Sequence, residues 1–109
     1  MRRERYYGCD GGCLLIGNAS CQIHIPNGIG DGQYRITVLD TEEPAPSYTE
    51  WEWLGVIEGD AIHVYEYDCM DPEDIVRGKG TLLTLRGRYS IYRSLKGNGQ
   101  MILRGGEDA

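Results

Sequence analysis

Apolar and polar residues alternate along most of this chain, and helical spacing is almost absent. In Cys21-Gln22-Ile23-His24-Ile25 the odd positions are apolar, and in Tyr34-Arg35-Ile36-Thr37-Val38 the even ones are. A period of two marks a half-buried strand, because successive side chains point to opposite faces. The Gly- and Asn-rich stretch 26–33 lies between these segments, so the pattern predicts a hairpin with a long loop. Residues 51–58 and 61–68 predict a second hairpin closed by Gly59-Asp60. Glycine first in a two-residue loop suits a type II′ turn, which would set Ile57 opposite Ile62.

Further strands are expected at 13–16, 81–85, 88–95 and 100–103. The connection Lys96-Gly97-Asn98-Gly99 offers residues that accept positive φ. Pro44 and Pro46 make the stretch 41–48 an exposed, extended link. Asp71-Pro72-Glu73-Asp74 has the order of a helix N-terminus, and Gly78 would end that helix after a turn or so. The predicted fold class is all-β, a small sandwich or barrel of about seven to eight mostly antiparallel strands. It allows at most one short helical turn, near Asp71.

Composition adds two constraints. The 109 residues amount to one domain, 1–109. Phe is absent, so eight Tyr and two Trp supply the aromatic bulk. Met1 to Gly8 carries charge but no apolar stretch follows it, and apolar runs are far shorter than the roughly 20 residues that span a bilayer. The expectation is a cytoplasmic protein with no membrane partner, whose cysteines are free thiols.

Charge is segregated along the chain. Twelve acids and no base lie between residues 40 and 74; seven bases and no acid lie between 77 and 104. The net charge of −6 conceals this division. If the acidic and basic segments lie side by side, the charges neutralise each other across strands. If they occupy opposite faces, each face keeps a field that recruits a charged partner or a second copy of the chain.

No motif specifies a reaction. Cys9 and Cys13, with Cys21 close behind, are the candidate metal ligands, and zinc is the cofactor they would take with a His. The usual two-residue knuckle spacing is missing, so buried or exposed thiols without any cofactor are the simpler reading. The acids at 68–74 lack the spacing of a calcium loop. The glycines at 28–32 lack the Lys-Ser/Thr of a phosphate loop. Arg86, Arg88, Tyr89, Tyr92, Arg93 and Lys96 interleave bases and rings, as a surface for single-stranded nucleic acid would. The overall acidity opposes that use.

The functional expectation is therefore a non-enzymatic binding domain. It would recognise another protein, a basic one by charge, through an acidic surface containing Glu50, Trp51, Glu52, Trp53, Tyr65 and Tyr67. The alternatives are a small metal protein or enzyme built on Cys9, Cys13 and a His, and a nucleic-acid binder using the basic C-terminal segment.

Overall fold

A computed structural model describes residues 3–8, 12–25, 33–40, 42–68, 81–97 and 99–105. Of these, 3–8, 12, 13, 33, 66–68, 81 and 82 are described by backbone pairing alone. Seven strands form one sheet: β1 (Arg3–Gly8), β2 (Gly12–Gly17), β3 (Gln22–Ile25), β4 (Gln33–Leu39), β5 (Trp51–Asp68), β6 (Thr81–Ser94) and β7 (Gln100–Gly105). Their order is β1-β4-β7-β6-β5-β2-β3. Every neighbouring pair is antiparallel except β4 and β7, so the sheet is mixed. The two ends of this order are different strands that do not pair, and the sheet is not closed into a barrel. The described residues contain no helix. The helical turn expected near Asp71 lies outside them.

Two long strands organise the whole. β5 has 18 residues and β6 has 14, and they pair along most of their length. The first half of β5 and the second half of β6 adjoin β7, β4 and β1. The second half of β5 pairs with both β6 and β2, and β3 lies beyond. The molecule therefore has two limbs hinged on shared strands. One apolar cluster joins them, taking Leu14, Ile16 and Ile25 from one limb and Ile36, Met101 and Leu103 from the other. The sheet thus curls so that its inner face packs on itself, which replaces the two separate sheets of a sandwich.

The hinge is a β-bulge. Gly59 pairs with Gly87 and Ile62 with Leu85, so Asp60 and Ala61 oppose Arg86 alone. An extra residue on one strand bends it and raises the local twist. Gly87 supplies the partner strand's share of the bend with φ of 119°, a conformation side chains disfavour. Ile57, Ile62 and Val64 all stay buried, because the bulge absorbs the change from odd to even inward positions.

This corrects the expected turn at Gly59-Asp60. β5 runs straight through it, Ile57 pairs with Tyr89, and Gly59 does not take the positive φ that a type II′ turn requires. A two-residue hairpin and a one-residue bulge both put residues 57 and 62 on the same face, so local alternation cannot separate them. The first expected hairpin is also corrected. Its two segments are strands, but β3 pairs with β2, whereas β4 lies between β1 and β7. Segments 81–85 and 88–95 merge into the single strand β6, bent at Gly87. The turn between β6 and β7 follows expectation, with Gly97 at φ 67° and Gly99 at φ 76°.

The link from β4 to β5 has to pass two intervening strands. Residues 42–50 are mostly exposed, as the two prolines imply. Arg104 of β7 fastens the link by donating from Nε and Nη2 to the Glu43 carbonyl at 3.2 and 3.0 Å.

Candidate functional site

The acidic and basic segments meet as neighbours, β5 against β6. Arg93 donates from Nη2 and Nε to Glu52 Oε1 at 2.6 and 3.2 Å. Lys96 Nζ lies 3.8 Å from Glu50 Oε1, and Arg86 Nε lies 3.9 Å from Asp60 Oδ1. Glu58 and Arg88 are direct cross-strand partners. The segregation seen along the chain thus becomes pairing across two strands. The Glu52–Arg93 pair is short and half-buried, so a double-mutant cycle with Glu52→Ala and Arg93→Ala should give a coupling of about 0.5–1 kcal/mol by urea denaturation. The same cycle on the long, exposed Asp60–Arg86 pair should give none. Equal couplings would show that geometry does not govern this charge ladder.

Two surfaces remain after that pairing. The first is the end of the sheet where β5 begins. Ser47 accepts from the backbone N–H groups of Glu50 at 3.3 Å and Trp51 at 2.9 Å, which folds residues 47–51 into a tight turn. Leu95 N–H donates to the Glu50 carbonyl at 2.9 Å, so the end of β6 is tied to that turn. Trp51 and Trp53 share the outer face, opposite Ser94 and Tyr92. Among the described residues, Tyr48, Trp53 and Leu95 are the exposed large hydrophobics, at 77, 51 and 55% exposure, and all three belong to this end.

The second surface lies on the other limb, beyond the bulge. The turn between β2 and β3 is built on Asn18. Its Oδ1 accepts from Ser20 N–H at 2.9 Å and Cys21 N–H at 3.0 Å, and its backbone N–H donates to the Cys21 carbonyl. Its Nδ2 donates across to the Glu58 carbonyl at 2.9 Å. Gly59 makes that reach possible, because a Cβ there would come within 2.5 Å of Asn18 Nδ2. Between this turn and the bulge opens a cleft of about 600 Å³, lined in part by Gln22, Glu58, Asp60, His63 and Tyr65. The His63 and Tyr65 rings sit 5.6 Å apart and tilted by 49°, and Tyr65 packs on the buried Leu15. Thr84 Oγ1 lies 3.4 Å from His63 Nδ1.

The six expected contact residues therefore divide. Glu50, Trp51, Glu52 and Trp53 all lie at the start of β5, the tryptophans on one face and the carboxylates on the other, with Glu52 engaged by Arg93 and Glu50 3.8 Å from Lys96. Tyr65 belongs to the cleft, and the side chain of Tyr67 lies outside the described ones. Of the expected metal ligands, Cys21 is an exposed thiol, Cys13 is placed only as the backbone partner of Tyr67, and Cys9 lies outside the described residues. Among the described residues no three His, Cys, Asp or Glu side chains gather in a way that could hold a metal ion. Of the rings in the basic segment, Tyr92 is buried and Tyr89 is partly buried against the core. The sequence reading passed over Asn18; its position just after Leu14-Leu15-Ile16-Gly17 was the available sign of a turn. Comparison with protein-family models, curated proteins and solved structures found no significant match to the chain.

Proposed function

We propose that this is a non-enzymatic recognition domain that binds another protein through the end of the sheet where β5 begins. The observation that carries the reading is the gathering of Tyr48, Trp53 and Leu95 at that one end. Their exposed side-chain area totals roughly 300–400 Å², divided between the two faces of the sheet end: Trp53 stands on the outer face, and Leu95, aligned with Glu50, on the other. Tyr and Trp are also the residues most enriched at binding hot spots. The turn at 47–51 and the strand that carries Trp53 hold the patch on rigid elements, which lowers the ordering cost of binding. From Trp51 to Ile57, β5 has ladder pairing only with β6 among the described residues.

The paired charges refine the expected partner. Arg93 compensates Glu52 at 2.6 Å, and Lys96 stands 3.8 Å from the exposed Glu50, so the surroundings are mixed in sign. The partner that fits has an apolar centre with a polar rim; a strongly basic one is not required. A photo-crosslinking residue at position 48 should trap such a protein, and the purified pair should associate directly. Trp53→Ala with Leu95→Ser should weaken that association at least about tenfold, as expected for loss of a hot-spot aromatic. The variant should keep the wild-type circular dichroism spectrum. An unchanged affinity in the folded variant would end this reading. Sedimentation of the protein alone shows whether the trapped partner is a second copy.

A further inference from the structure

We propose that the cleft between the Asn18 turn and the β5 bulge binds an organic cation, a guanidinium or alkylammonium group. The group would sit between the carboxylates of Glu58 and Asp60 and the rings of His63 and Tyr65. This site lies at the bulge, away from Tyr48, Trp53 and Leu95, and does not rest on the recognition reading.

Three features support the assignment. The cleft is preformed, because one side chain braces both walls: Asn18 closes its own turn and also bonds the Glu58 carbonyl. Its lining includes the carboxylates of Glu58 and Asp60 and the amides of Asn18 and Gln22; Arg88 and Arg86 of β6 stand beside the two carboxylates but outside the lining. Its lining also offers the ring of Tyr65, which packs on Leu15 and lies beside the His63 imidazole. Carboxylates supply directional acceptors for N–H groups, and a ring face attracts a cation through its quadrupole. A neutral ligand would gain nothing from those carboxylates, and an anion would be disfavoured by them. Asp60 is not committed elsewhere: its contact with Arg86 is 3.9 Å long and both side chains are exposed, so an incoming cation can take its place.

The same chemistry is offered by a free amine and by an arginine side chain of a protein. The test titrates the full ¹⁵N-labelled chain with agmatine, with a blocked Gly-Arg-Gly peptide, and with neutral pentylurea. Both cations should shift the amides of residues 17–22 and 58–65 and saturate with dissociation constants near about 1 mM, the range expected of a few exposed contacts. Pentylurea should not. Tighter binding of agmatine would identify a small amine as the source, and tighter binding of the peptide a protein side chain. Glu58→Gln combined with Asp60→Asn should weaken the cations roughly fivefold or more while leaving the remaining spectrum in place. The proposal is overturned if the cations cause no shifts in this region, if pentylurea matches them, or if the double variant binds equally well.

Discussion

Leu14→Ala should destabilise the protein by about 2–5 kcal/mol, and it should do so equally for both limbs. Leu14 is fully buried on β2, in the limb that carries the cleft. Trp51 and Trp53 lie in the other limb, at the far end of β5. Tryptophan emission therefore reports on one limb while the mutation is made in the other. Because a single apolar cluster takes residues from β2 and from β4, β6 and β7, losing packing at Leu14 weakens contacts that hold both limbs together. In urea, the fluorescence and circular dichroism transitions of the variant should shift by the same amount and stay superimposed. The expected loss is a large part of the 5–15 kcal/mol typical of small domains, so the shift should be easy to measure. If the tryptophan transition stays at its wild-type midpoint while the far-ultraviolet signal moves, the limbs unfold independently and the shared core is not cooperative.

The strands were legible because alternation is a local property. Tyr34, Ile36 and Val38 turn inward as their spacing implies, and the turn between β6 and β7 sits where its glycines allow positive φ. Pairing partners were much less legible. β3 and β4 follow one another in the chain yet lie on different limbs, and nothing in Cys21 to Val38 encodes that separation. β1 went unrecognised because Arg3–Gly8 mixes charge with Tyr-Tyr and shows no clean period. The charge division was visible, but its outcome depended on pairing: only once β5 lies against β6 do Glu52 and Arg93 meet. The same holds for the candidate sites. Trp53 was expected at a surface and is there. Tyr65 was grouped with it because both lie on one strand, yet a bulge and eleven intervening residues place it in the cleft. Gly59 was read as a turn former, whereas its role is to let Asn18 approach from a distant strand, a tertiary fact with no local signature.

Gly105→Ala should be the other severe substitution, with a loss of about 2–3 kcal/mol. Gly105 ends β7 directly opposite Tyr89 of β6 and is buried there. A Cβ at this position would stand 2.5 Å from the Arg88 carbonyl oxygen and 2.5 Å from Cδ1 of the Tyr89 ring. Real Cβ atoms do not approach other heavy atoms that closely, so something has to move. The ring could swing away at the cost of a strained rotamer. The carbonyl belongs to the backbone of β6, one residue from Gly87, and can move only by distorting the strand on which both limbs hinge. The two obstacles can be told apart by a second variant. Tyr89→Ala in the Gly105→Ala background removes the ring and leaves the carbonyl. If the backbone contact dominates, the double variant should be no more stable than Gly105→Ala alone, since the lost ring leaves a cavity and relieves nothing. Recovery of stability in the double variant would assign the clash to the ring and free the hinge strand from that role. Thermal melts of the two variants and the parent protein supply the comparison.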